Sequence, residues 1–157
     1  MNYLLDTNIL SELVKKRPNT AFIKRLKSEP SQSLYTSSIC LFELRFGSTL
    51  RDDSKKFWLR IVDDIISRII VLPFGENEAY MAGDILAGLQ KAGQKIGLED
   101  IFIAATALIH NCVLVTANTR HYSRIKDLKI ENWIKWMDSE LWTVSGKQKV
   151  KLVNSEQ

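Results

Sequence analysis

Apolar residues fall along this chain in two alternating kinds of run. Tyr3-Leu4-Leu5, Leu34-Tyr35-Thr36, Ile69-Ile70-Val71-Leu72 and Val113-Leu114-Val115 are short and continuous, rich in aliphatic or β-branched residues, and bounded by polar residues or Pro73. Such runs predict buried strands. Between them, apolar positions recur every three or four residues, the spacing of a helix with one buried face. Asp6 or Thr7 can cap a helix carrying Ile9, Leu10, Leu13 and Val14, which stops before Pro18. Asn19 or Thr20 can cap a second, with Phe22, Ile23 and Leu26 inward, and Ser37 or Ser38 a third that reaches about Leu50. Residues 55–67, 76–92 and 99–110 read as further helices, Gly93 fitting the left-handed position after the second of these. Residues 118–125 predict a turn or short helix, and 129–133 an edge strand.

Strands alternating with helices predict an α/β fold of three layers, α/β/α, around a central, mainly parallel sheet. A length of 157 residues suits one domain. That domain is expected to span 1–133, with 134–157 a C-terminal extension, either an edge strand or a loose basic tail; beyond Trp136 the chain becomes polar and loses periodicity. Composition is 45% hydrophobic and 25% charged, that of an ordinary globular protein. The two cysteines, Cys40 and Cys112, sit among apolar residues and read as buried thiols, which points to a reducing, cytoplasmic setting. No signal-peptide pattern or membrane-length apolar run is visible, so no membrane partner is expected. The net charge of +4 is compatible with a polyanionic partner.

The chemistry is carried by acids placed against apolar segments. Asp6 directly follows the first strand, and ligands in open α/β sheets sit beyond the carboxyl ends of strands. On a helix, Glu43 shares a face with Ile39, Cys40, Phe46 and Gly47, where a charge is costly unless a cation or donor meets it. A structural pairing with Arg45 or Arg51 is the plainer alternative. Asp100 shares a face with Ile103, Ala104 and Ala107 and looks inward, whereas Glu99 looks outward. Thr116 and Asn118 follow the fourth strand as Asp6 follows the first, although turn chemistry alone would explain Asn118. Carboxylates brought together repel one another, and Mg²⁺ or Mn²⁺, which prefer oxygen ligands, would relieve that. His110 and His121 show no zinc-type spacing. A divalent ion held by carboxylates suits phosphate chemistry, where it can activate a water and bind a phosphoryl oxygen.

Taken together, these segments resemble the PIN domain, in its VapC toxin branch with the related FitB. Leu4-Leu5-Asp6-Thr7-Asn8-Ile9-Leu10 is similar to the family's first motif, and Ser37 to Gly47, with Glu43-Leu44 and Gly47, to its second. Ile96 to Ala105 is similar to the third and Leu114 to Tyr122 to the fourth. The resemblance implies the toxin of a toxin–antitoxin pair, a Mg²⁺- or Mn²⁺-dependent endoribonuclease cleaving RNA such as tRNA or rRNA. Implied partners are the RNA substrate, a cognate antitoxin, a second copy in a homodimer, and operator DNA only through the antitoxin complex. By carry-over, Asp6, Glu43 and Asp100 would be catalytic and hold the metal. Thr7 and Asn8 would support Asp6, and Thr116 would orient the cluster. Asn118 stands where many PIN domains carry a fourth acid, which makes a second tightly held metal doubtful; it is carried over as a catalytic position of lesser charge.

Arg120 and Arg124 follow the fourth motif and are the candidate RNA contacts, against the plainer reading of a solvated face. Trp133, Trp136 and Trp142 are expected to pack the extension onto the domain or to line a dimer contact. Two rival functions use the same fold: a PIN-like nuclease acting on structured DNA, and a nucleic-acid-binding module with weak or no catalysis. A phosphatase with Asp6 as nucleophile fits poorly, since Asn8 stands where a second Asp is needed.

Overall fold

A computed structural model of the protein describes residues 1–134. Among the described residues, five strands form one sheet: β1 (Tyr3–Leu5), β2 (Leu34–Ser37), β3 (Ile70–Leu72), β4 (Val113–Val115) and β5 (Ile130–Glu131). Their order is β3-β2-β1-β4-β5 and every pairing is parallel. The central strands β1 and β4 are wholly buried, as their unbroken apolar runs require, whereas Ile70 on the edge strand β3 is 46% exposed.

Parallel strands need crossovers, and helices supply them. Helices α1 (Thr7–Leu13) and α2 (Thr20–Ser28) lead from β1 to β2, and α3 (Ser38–Thr49) and α4 (Ser54–Asp64) from β2 to β3. Helices α5 (Glu76–Lys91) and α6 (Leu98–Ile109) then carry the chain back across the sheet to β4, and the short α7 (Thr119–Tyr122) precedes β5. The direction of travel reverses after β3. Because such crossovers are right-handed, the two sets of helices flank opposite faces, giving α/β/α layers. The main core joins the sheet to Ile9, Leu10, Phe22, Cys40, Leu44 and Ile61, while Ala82, Leu89, Ile101 and Ala105 form a smaller cluster between α5 and α6.

Local chemistry sets the helix ends. Asp6, Asn19 and Ser37 each accept a backbone N–H of the helix they cap. Gly93 takes φ +68° after α5, and Asn111 turns the chain into β4 at φ 52°.

Three sequence expectations are corrected. The helix over 55–67 stops at Asp64 and a 3₁₀ turn follows over Ile66–Arg68, where Ser67 Oγ and Arg68 Nε both donate to the Asp63 carbonyl. The edge strand over 129–133 narrows to Ile130–Glu131, because the chain then turns Trp133 into the core. The indole of Trp133 packs against Tyr3 (5.1 Å) and Phe22 (6.4 Å) under the Arg25 guanidinium (4.6 Å), so it is a core residue of the domain itself. Trp136, Trp142 and the expected extension lie outside the described residues. No helix among the described residues is long and apolar enough to cross a membrane.

Candidate active site

The chain leaves β1 in one direction toward β2, and β4 joins β1 from the other side. The carboxyl ends of β1 and β4 therefore meet where the strand order reverses, the usual place for a ligand in an open α/β sheet. Asp6 lies there, its backbone N–H donating to the Val115 carbonyl at 3.0 Å.

The Asp6 side chain is buried, with the residue 3% exposed. Its Oδ1 accepts from the Thr7 N–H at 2.8 Å; its Oδ2 accepts from the Thr116 hydroxyl at 2.7 Å and the Asn8 amide at 3.3 Å. Asn8 also receives the Ala117 N–H at 3.0 Å, so it ties the start of α1 to the segment after β4. These donors are all neutral. Burial pushes the Asp6 carboxyl up to about 6; the Thr116 and Thr7 hydrogen bonds oppose this, and the charges of Asp100 and Glu43 add to it.

Glu43 reaches the same spot from α3, accepting the Thr7 hydroxyl on Oε1 at 2.5 Å. Its helix face differs from the sequence expectation of a buried apolar surface. Cys40 is buried, but Phe46 is 59% exposed and Glu43 itself is half-buried. The alternative pairing with Arg45 or Arg51 is not formed: Arg45 stacks over Trp58 and Arg51 pairs with Asp53.

Asp6, Glu43 and Cys40 bring one ligand-capable atom each within 4.8 Å of one another. Burial raises the Cys40 thiol to about 12, so without an ion it stays protonated. The effective donors there are carboxylate oxygens, a set that fits a hard divalent cation and not a thiophilic one.

Asp100, in the first turn of α6, stands outside that tight group but is close enough for its charge to raise Asp6. Its Oδ1 accepts the Tyr122 hydroxyl at 3.1 Å, and its Oδ2 lies 3.2 Å from His121 Nδ1. Asn118 hydrogen-bonds away from the carboxylates: its amide meets His121 Nδ1 at 2.8 Å, and its N–H donates to Thr116 Oγ1 at 2.9 Å. Arg120 is exposed on α7. Arg124 points elsewhere, donating to the Lys95 carbonyl beside a hollow of about 420 Å³ lined by Met81, Ile85 and Leu89.

Sequence reasoning did not place Cys40, His121 or Tyr122 at this site. The usable signal for the last two was their position three and four residues beyond Asn118. A one-turn helix capped there carries them back toward the fourth strand's end.

This geometry gathers acids at the switch point of a parallel α/β sheet, where proteins of this class bind their ligands. Residues 3–128 match the family model of the PIN domain. The chain is 33% identical to ribonuclease VapC2 of Haemophilus influenzae over 134 residues, 85% of this chain and 99% of that one. It is 30% identical to the tRNA(fMet)-specific endonuclease VapC of Shigella flexneri, over 85% of this chain and 98% of the relative. Among solved structures, VapBC2 of Rickettsia felis bound to a promoter DNA fragment superposes with a TM-score of 0.77 at 30% identity, covering 85% of this chain and 99% of that one. The chain belongs to the PIN-domain family, in the branch of the VapC ribonucleases.

Proposed function

We propose that the chain is a divalent-metal-dependent endoribonuclease that acts as the toxin of a toxin–antitoxin pair. One observation carries the reading: Asp6 is almost fully buried, with neutral donors only among the described residues, beside two further carboxylates whose charges disfavour its own. A carboxylate so placed awaits a cation. The relatives supply the reaction class, since both are named as RNA-cleaving enzymes, one for a tRNA.

Asp6, Glu43 and Asp100 would hold a Mg²⁺ or Mn²⁺ ion. When bound, such an ion offsets the clustered negative charge, polarises a phosphoryl oxygen and renders water acidic enough to attack. Thr7 serves two carboxylates at once, giving its N–H to Asp6 and its hydroxyl to Glu43, so their separation is set by one residue. Glu43, oriented by the Thr7 hydroxyl on its Oε1, would take the proton of the attacking water. Thr116 and Asn8 hold Asp6 Oδ2 in a fixed direction. With an amide at position 118 facing His121, one ion suits the donor set better than two. Arg120 is the better placed of the two candidate RNA contacts, because Arg124 is engaged with Lys95.

For partners, the VapBC similarity supports a cognate antitoxin, with operator DNA bound through that complex. Phe42 and Phe46 stack 6.4 Å apart on the exposed side of α3, followed by Leu50, on the helix that also carries Glu43. An apolar stripe of this kind supports a protein partner beside the cleft. A homodimer, a cytoplasmic location, and a catalytic unit spanning 1–133 with 134–157 as an appendage complete the proposal.

The test is sequencing of RNA 5′ ends after brief induction, wild type against Asp6→Asn. New discrete ends are expected with the wild type alone. The same ends at the same level from Asp6→Asn overturn the assignment.

A further inference from the structure

We infer that α7 is a clamp for Asp100, with Tyr122 and His121 as positioning residues and Asn118 setting the imidazole. The inference rests on the metal-site reading above and assigns a task to three residues which that reading leaves without one.

Asp100 differs from Asp6 in how it is held. Asp6 is gripped by its own helix start and by Thr116, whereas Asp100 sits at the start of α6 and is met by two side chains from α7, more than twenty residues away. Tyr122 is fully buried, so its ring has one orientation and its hydroxyl one address, Oδ1 of Asp100 at 3.1 Å. A phenol carries its proton at neutral pH, so toward a carboxylate it acts as the donor.

The second grip is adjustable. His121 Nδ1 lies 2.8 Å from Asn118 Nδ2 and 3.2 Å from Asp100 Oδ2. One ring nitrogen can accept from the amide or donate to the carboxylate, but not both. The Asn118 side chain, by presenting its NH₂ or its oxygen, decides which. Asn118 thus acts on the cleft through His121 instead of as a ligand. Partners that orient a ligating carboxylate typically set metal affinity by about 10- to 100-fold.

The bland alternative is that Tyr122 is a core residue whose hydroxyl merely needed a partner. The two differ in what a deletion changes. A structural tyrosine, replaced by Phe, lowers the melting temperature and leaves metal affinity alone; a clamp lowers metal affinity in a folded protein.

The experiment is calorimetric titration of chelator-treated full-length protein with Mn²⁺ alone, with melting curves on the same samples. The variants are Tyr122→Phe, His121→Ala and, as control, Asp6→Asn. Folded Tyr122→Phe is expected to bind Mn²⁺ about tenfold or more weakly. His121→Ala is expected to show a smaller loss, its contact being longer and half exposed. Affinity within about twofold of the wild type in both variants, well short of the effect of orienting a ligand, overturns the clamp. Should Tyr122→Phe fail to fold, His121→Ala, at an exposed position, decides by the same criterion. If the wild type binds no Mn²⁺, or Asp6→Asn binds it equally well, the metal reading itself fails. If Asp6→Asn loses binding while both α7 variants keep it, only the clamp fails.

Discussion

Two carboxylates with little exposed surface, Asp6 at 3% and Glu78 at 6%, respond oppositely, Asp6 lying deep in the protein and Glu78 just beneath its surface. Glu78 sits at the start of α5. Burial works against its charge, but its own N–H, the Gly75 N–H at 2.9 Å and His110 at 2.9 Å outweigh that and lower its pKa. Asp6 also receives a backbone N–H and a hydroxyl, yet it rises to about 6, because its burial outweighs them and the charges of Asp100 and Glu43 add to the rise. Glu12, at 6% exposure, follows Glu78 in design: Lys15 at 2.6 Å and the Asn19 N–H at 2.7 Å hold it and close the loop after α1. Burial alone therefore does not mark a functional acid. What marks Asp6 is burial with neutral donors beside two other acids.

The largest effect expected to sharpen this contrast is on catalysis. Asp6→Asn should cut RNA cleavage by about a thousandfold or more, the scale of losing a group that stabilises transition-state charge. Glu78→Gln should leave the rate per folded molecule nearly unchanged. Single-turnover cleavage of a labelled RNA reads both, and comparable losses would erase the distinction.

The next effect is on stability. Asp6 has a folded pKa raised from 3.8 to about 6, so its favourable contribution is fully present below about pH 4 and is lost as pH rises through 6. A rise of that size corresponds to about 3 kcal/mol. Ion-free wild type should lose up to that amount between about pH 4 and pH 7, and Asp6→Asn should not. Adding Mg²⁺ should restore part of it at neutral pH. Denaturant midpoints across that range, with and without Mg²⁺, provide the measurement; a flat wild-type profile would contradict the buried-charge account.

Glu78 runs the other way and more weakly. Its pKa is lowered, so its contribution is present above the unfolded value, near 4.5, and is lost as pH falls through the folded one. Glu78→Ala removes a helix-start acceptor and should cost about 1–2 kcal/mol at neutral pH, with a smaller penalty in acid. The same midpoints read it.

The smallest expected change lies outside both sites. Arg120→Ala should weaken RNA binding by a few-fold, roughly equally across sequences, and flatten the salt dependence by about one charge. Arg124→Ala should do less, since that side chain is already bonded to Lys95. A larger effect from Arg124 in filter binding at two salt concentrations would reverse their ranking.

Much of the molecule was legible in local patterns, because those patterns act within a few residues. Unbroken apolar triplets specified β1 and β4, and helix starts were legible to within one residue, at Asp6 or Thr7, Asn19 or Thr20, and Ser37 or Ser38, since a cap and its N–H lie within three positions. The acids worth watching were legible too, since each stands against apolar neighbours. Tertiary structure alone decided what those acids meet. The strand order, with β4 beside β1, brings Thr116 to Asp6 across 110 residues, and Thr7 to Glu43 across 36. It also gives Asp100 to Tyr122, keeps Cys40 a neutral thiol beside the cluster, and supplies Glu78 with His110 while surrounding Asp6 with neutral donors and acids. Periodicity reports which face of a helix or strand turns inward. What waits on the inside is set by how the crossovers order the strands, and that depends on packing the whole sheet at once.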